Sequence, residues 1–195
     1  MVISIQQLLD KYKDYVDPKG KIRRDVESGK LFHIVRGLYE TDRNVDGSYL
    51  AQFIYGPSYL SFEYALSKYG LIPEAVFRTY TCASFGKRRR KHYANAFGDY
   101  LYRDVPKRVY PYGFKIVVQG NYCYHIATPE KALCDKLYAV EPVASMKAFK
   151  ALLFEDLRID EEEFDKLDKV FIRKIAPLYK KRNLNWLAKM VEEAS

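Results

Sequence analysis

Cysteine, histidine and tryptophan are scarce in this 195-residue chain, at three, three and one. Cys82, Cys123 and Cys134 are widely spaced, with no CxxC pair, and His33, His92 and His125 are equally scattered. A disulfide framework or a structural zinc site needs closer pairing, so reduced, buried thiols are expected, and no metal or cofactor. Glycine-rich phosphate loops are also missing: neither GxxxxGK[ST] nor GxGxxG occurs, and "GPSYLSFEYAL" offers a single glycine, which argues against nucleotide hydrolysis. No apolar run approaches the ~20 residues that cross a bilayer. The start, "MVISIQQLLDKYKDY", places charges where a signal peptide would carry its apolar stretch. A cytoplasmic protein without membrane contact is the expectation.

What is abundant is positive charge on a globular composition. Hydrophobic residues make up 48% and charged residues 30%, with a formal net charge of +8. That balance supports a packed core and favours anionic partners, because Lys and Arg attract polyphosphate and release its counterions on binding.

The N-terminal segment reads as two helices and a hairpin. Ser4 and Gln7 have capping-box spacing, and Ile5, Leu8, Leu9 and Tyr12 recur at helical intervals, predicting a helix from Ile5 to about Tyr15. Asp17 can cap a second helix, with Pro18 at its first position, Ile22 and Val26 as its apolar seam and Gly29 as its stop. "KLFHIV" and "GLYET" then flank Arg36-Gly37 as a tight hairpin. This succession is the latter part of a winged helix-turn-helix, whose second helix enters the major groove while the wing touches the backbone. Lys21, Arg24 and Ser28 lie opposite the Ile22/Val26 seam with Arg23 on its flank, and Lys30, His33 and Arg36 would be the hairpin's contacts to DNA. An ordinary solvated basic face explains the same helix pattern. Only two helices fit before the hairpin, one fewer than a full winged helix carries, so the domain is expected in truncated form, over residues 1–45.

Beyond "NVDG" an α+β domain is expected over residues 46–195. "GSYLAQFIYG" and "PSYLSFEYALSKYG" read as helices. "AVFRTYTCAS", "FGDYLYRDV" and the two halves of "GFKIVVQGNYCYHIA" around Gly120-Asn121 read as a mostly antiparallel sheet of about four strands. Helices follow to the end, one opening at Thr128-Pro129, one seamed by Phe164, Leu167, Phe171 and Ile175, and one by Leu184, Leu187, Ala188 and Val191. The most charged passage, "FGKRRRKHY", would cap a hairpin of the sheet. Lys87, Arg88, Arg89, Arg90 and Lys91 there suit auxiliary phosphate contacts, or equally a solvated turn.

Residues able to carry catalysis are thinly spread. Glu63, Glu130 and Asp135 are the candidates for a metal-dependent nuclease, but Glu130 and Asp135 do not share a helix face, and Lys131 can pair with Asp135 at i, i+4. Cys123 and His125 share a strand face, which suits core residues better than a thiol-imidazole pair. The acids of "DEEEFDKLDK" open a helix, where they complement its dipole.

Three passages in order, "GKLFHIVRGLYE", "YGPSYLSFEYALSKYGLIPE" and "HIATPEKALCDKLY", resemble the AbiEi-type antitoxins, the transcriptional-regulator half of the type IV AbiE toxin-antitoxin systems of bacteria. The resemblance spans roughly Lys21 to Tyr138. It implies a non-enzymatic abortive-infection antitoxin that binds inverted repeats in its own promoter through an N-terminal winged helix and represses the operon. It also implies that the second domain neutralises a nucleotidyltransferase-like toxin without a stable complex. A monomer or weak homodimer is expected. The DNA-binding role carries over onto Lys21, Arg23, Arg24, Lys30 and Arg36. The competing expectation is the nuclease built on the three carboxylates.

Overall fold

The computed structural model describes residues 1–87 and 89–193. Its architecture is α+β, with two sheets and a helical C-terminal part. The first sheet is small. Strand β1 (Val2–Ser4) leads directly into helix α1 (Ile5–Lys11), α2 spans Pro18–Glu27, and β2 (Phe32–Val35) and β3 (Leu38–Glu40) form the hairpin. The order is β1-β3-β2, antiparallel throughout, with Val2 opposite Glu40 and Phe32 opposite the same residue on the other side. Ser4 closes the expected capping box with Gln7, but the helix stops at Lys11, short of Tyr15, in turns through Tyr12 and Tyr15. Leu8, Ile22 and Leu31 form the centre of a small core between the helices and this sheet.

On its other face, the small sheet meets the rest of the chain. Ile34 belongs to the main core, the Phe32 and Phe97 rings meet edge to face at 6.2 Å, and the Asn95 amide donates to the Ile34 carbonyl at 3.1 Å. The buried Glu40 carboxylate accepts from the Thr41 and Asp42 N–H groups, from the chain's terminal amine and from the Tyr122 hydroxyl.

The second sheet has six strands, not about four. A 3₁₀ turn (Gly47–Leu50) and α3 (Ala51–Ile54) precede β4 (Ser58–Leu60), α4 (Phe62–Lys68), β5 (Thr79–Ser84), β6 (Lys91–Asn95), β7 (Gly98–Asp104), β8 (Phe114–Gln119) and β9 (Tyr122–Ala127). The order is β6-β7-β5-β4-β9-β8, with β5 parallel to β7 and β4 parallel to β9. Three of the five strand pairings are antiparallel and two parallel, so the sheet is mixed. "PSYLSFEYAL" is not all helix: Ser58, Tyr59 and Leu60 are all buried as a central strand, and a strand covered on both faces shows no apolar-polar alternation to betray it. The parallel pairing of β5 with β7 arises without a helical crossover because β6 itself serves as the link: the chain leaves β5, passes beyond β7 and returns along it antiparallel.

The helical part comprises α5 (Pro129–Ala139), α6 (Met146–Ala151) running into a π-type turn (Leu152–Asp156), α7 (Glu161–Asp165), α8 (Lys169–Ile175), a 3₁₀ turn (Ala176–Tyr179) and α9 (Arg182–Glu193). Thr128 caps α5, and Asp160 caps α7 within the acidic run. The helix expected through Phe164 and Ile175 is two, because the Asp168 carboxylate accepts from the Phe171 N–H at 2.9 Å and starts α8 afresh.

Sheet and helices are pinned together by a buried polar network. Lys131 and Asp135, both fully buried, pair at 2.9 Å. The Lys131 amine also donates to the Tyr179 hydroxyl at 2.6 Å, and that hydroxyl donates to Asp135 Oδ1 at 2.5 Å. The Tyr59 and Ser61 hydroxyls donate to Asp135 Oδ2 at 2.9 and 2.7 Å. The carboxylate thus has four donors, which is what a buried charge requires. Burial and the neighbouring Asp135 charge push the Tyr59 and Tyr179 phenols well above their ordinary range.

Candidate nucleic-acid interface

Helix α2 is held against its surroundings by one acid. Asp25, 2% exposed, accepts from the Lys21 amine at 2.5 Å and from the Tyr12 hydroxyl at 2.7 Å, while its backbone carbonyl receives the Lys30 and Leu31 N–H groups. The hydrogen bond from Lys21 holds the Asp25 carboxyl below its usual range against the opposing effect of burial, and the bond to Asp25 pushes Tyr12 up to about 12. Lys21 also lies over the Tyr12 and Tyr15 rings, at 5.4 and 5.8 Å. Its side chain is only 20% exposed. The expectation that Lys21 faces outward is therefore corrected: it is neutralised where it sits, because Asp25, one turn on, is buried beneath it.

The other candidates on α2 and the hairpin are exposed. Arg23 projects with 76% of its side chain accessible and meets Glu27 only loosely, at 3.8 Å. Arg24, Ser28, Lys30, His33 and Arg36 are exposed as well. Ser28 caps α2, its hydroxyl donating to the Asp25 carbonyl at 3.3 Å. Arg36 sits in the hairpin turn beside Gly37, whose φ of +81° suits glycine. His33 rests edge-on against Tyr39 at 5.5 Å. A groove of about 400 Å³ runs between helix and hairpin, lined by Ile5, Ile22, Val26 and Tyr39 with Lys19, Arg23 and His33 among them. Lys19, three positions before Ile22, flanks the apolar seam and so does not lie on the opposite face of α2.

The basic passage is also displaced from its expected position. It is not the tip of a hairpin between the strands around it, because β6 pairs with β7 and not with β5. Lys87 lies over the Tyr55 ring at 5.2 Å, its N–H donating to Asp104 at 3.3 Å. Arg89 and Arg90 are exposed, Lys91 begins the edge strand half-buried, and Arg88 lies outside the described residues.

Compared with known protein families and with curated proteins, the sequence matches none.

The carboxylates proposed for metal binding have separate duties. Glu63 pairs with Arg103 at 3.0 Å and Lys136 at 2.7 Å, Glu130 accepts the Asp168 N–H at 3.1 Å, and Asp135 is spent in the buried network. Among the described residues, no cluster of three or more His, Cys, Asp or Glu side chains is placed to hold a metal. Cys82 and Cys134 are buried, and burial raises both thiols far above their usual range. Cys123, expected inside, is exposed, while His125 on the same strand face packs against Phe114 at 5.4 Å. No helix of the described residues is long and apolar enough to cross a membrane.

Proposed function

We propose that this chain is a DNA-binding antitoxin of the AbiEi kind, which represses its own operon and counteracts a nucleotidyltransferase-like toxin. The carrying observation is the set of exposed cations Arg23, Arg24, Lys30 and Arg36 on α2 and the hairpin that follows it, backed by a sheet of order β1-β3-β2. That order of elements is compatible with a winged helix lacking its first helix, and it supports a major-groove role for α2 with the β2-β3 hairpin as wing. Arg23 and Arg24 then supply base-edge or phosphate contacts, Lys30 and Arg36 phosphate contacts, and Ser28 and His33 hydrogen bonds to the backbone. Lys21 drops from the set and becomes the residue that fixes Asp25.

Both antitoxin passages of the second domain meet in one place: Tyr59 and Ser61 come from "PSYLSFEYAL", Lys131 and Asp135 from "TPEKALCD". Complete burial makes them the frame of the proposed neutralising domain and leaves toxin contact to its surface.

A gel shift with the DNA upstream of the chain's own reading frame tests the regulator. A salt-sensitive shift should vanish in Arg23→Ala/Arg24→Ala, and undiminished binding by that variant would remove α2 from the interface. Co-expression with the nucleotidyltransferase-like product of a neighbouring frame tests the antitoxin. Growth should be rescued by the parent chain and by the same double variant, and failure of both would discard the neutralising role.

A further inference from the structure

A second concentration of charge lies away from α2. Lys107 and Arg108, in the turn after β7, and Lys180 and Lys181, before α9, line one cleft of about 770 Å³ whose rim includes Gly86 of the basic passage. We infer that this cleft binds the phosphodiester backbone of single-stranded nucleic acid, independently of DNA contact by α2.

The two cationic walls come from distant parts of the chain and are latched to each other, since the Arg108 side chain donates to the Leu178 carbonyl. The second wall is anchored from below: Tyr179 sends its hydroxyl into the Lys131–Asp135 network, so the residues after it emerge from a fixed point. Lys180 follows in the left-handed conformation, φ 51° and ψ 45°, where glycine or asparagine would be unstrained. A lysine held there sits beside another at Lys181, whose amine is 5.7 Å from the Tyr138 ring centre. Among the described residues, no carboxylate lies within ion-pair distance of any of the four. Asp104 also lines the cleft, so its four cations face a single carboxylate, and that excess of positive charge around one concavity favours the entry of an anion.

The shape selects the class of anion. The volume falls in the range that encloses a small ligand or a short stretch of a flexible one. The backbone of a duplex follows a convex cylinder and would reach only the rim, whereas a single strand can bend inward. Arg89 and Arg90, a few residues on from Gly86 in the chain, are exposed and add positive charge to the same passage.

Fluorescence anisotropy with short labelled RNA and DNA strands, and with a duplex of equal length, tests this on the full chain. The variant Lys107→Gln/Arg108→Gln/Lys180→Gln/Lys181→Gln should bind single strands at least about tenfold more weakly, with a log-log salt slope lower by about 3, at roughly 0.7 for each phosphate that is no longer neutralised. Its duplex binding should persist. Arg23→Ala/Arg24→Ala should show the reverse pattern, retaining the strand and losing the duplex. Equal loss of RNA and DNA strands supports recognition of the shared backbone, and greater loss of RNA supports the same cleft with a 2′-hydroxyl contact. Unchanged strand affinity in the fourfold variant, loss of strand binding in the α2 variant, or displacement of the strand by inorganic phosphate at equal phosphate concentration would overturn the inference. Circular dichroism melts of both variants check that they fold.

Discussion

Lys21 and Arg23 stand two positions apart on α2, and their surroundings decide which of them can meet a phosphate. Lys21 is committed to Asp25 and two tyrosine rings, Arg23 to nothing closer than a loose contact with Glu27. The helix spacing was legible in the sequence, but the burial of Asp25 was not, because an aspartate on a basic helix looks like any solvated partner. Asp25→Asn should destabilise the N-terminal unit by about 1.5–3 kcal/mol, the range for a charge-assisted hydrogen bond, as read from urea unfolding. The direction of its shift also fixes a pH dependence. Because folding lowers the Asp25 pKa, its stabilising contribution is complete above the ordinary carboxylate range, about pH 4, and is lost as the pH falls through the lower folded value. The parent should therefore show a steeper acid loss of stability than the Asn variant, and matching acid limbs would contradict the assignment.

At the other buried charge, Lys131→Met strands the Asp135 carboxylate and should cost about 3–5 kcal/mol, with Asp135→Leu added in the same chain recovering much of it. A Lys131–Asp135 pairing was foreseeable from the i, i+4 spacing. Tyr59, Ser61 and Tyr179 were not, since they come from distant stretches that only the tertiary fold unites.

Among the elements, those with a strong local signal matched their outlines. The capped starts of α1, α2 and α5, the β2-β3 hairpin and the Gly120-Asn121 turn all carry chemistry that acts within a few residues. Strands β1, β4 and β6 do not: β1 and β4 are three residues each, β4 is buried on both faces, and β6 follows a run of charge. Gly113 belongs to this scale as well. It precedes β8 with φ +71°, and a Cβ there would stand 2.7 Å from Phe171 and 2.9 Å from Lys131, so Gly113→Ala should lower the thermal midpoint through both strain and collision. The passage from Lys87 to Lys91 acts as a charged connection. Neutralising Lys87, Arg88, Arg89, Arg90 and Lys91 together should flatten the salt dependence of DNA binding and leave sequence preference intact, as titrations against operator and scrambled duplexes would show.

The whole molecule carries its two proposed surfaces on two cores that meet across the small sheet. The small sheet packs by Phe32 and Ile34 onto the main body, so the proposed DNA-contacting helix is carried on the same frame as the six-stranded sheet. That frame is rich in tyrosine, with 18 in the chain. Burial pushes several phenols upward, Tyr69, Tyr80 and Tyr110 among them to about 12. Raised phenols stabilise fully below the ordinary tyrosine value near pH 10, and that contribution is lost as the pH climbs toward the folded values. Alkaline unfolding should accordingly begin above about pH 10 and coincide with tyrosinate absorbance. Net charge and aromatic density were visible in the sequence, but the meeting of Lys107 and Arg108 with Lys180 and Lys181 depends on how the helical end folds back.

Salt dependence of binding to the chain's own upstream DNA is the most direct test of the central claim that α2 and its hairpin grip operator DNA. In the parent, the logarithm of affinity should fall linearly with the logarithm of salt, and Arg23→Ala/Arg24→Ala should reduce the slope by about 2, near 0.9 for each phosphate neutralised, while weakening binding severely. A double variant with the parent's slope and affinity would contradict the account.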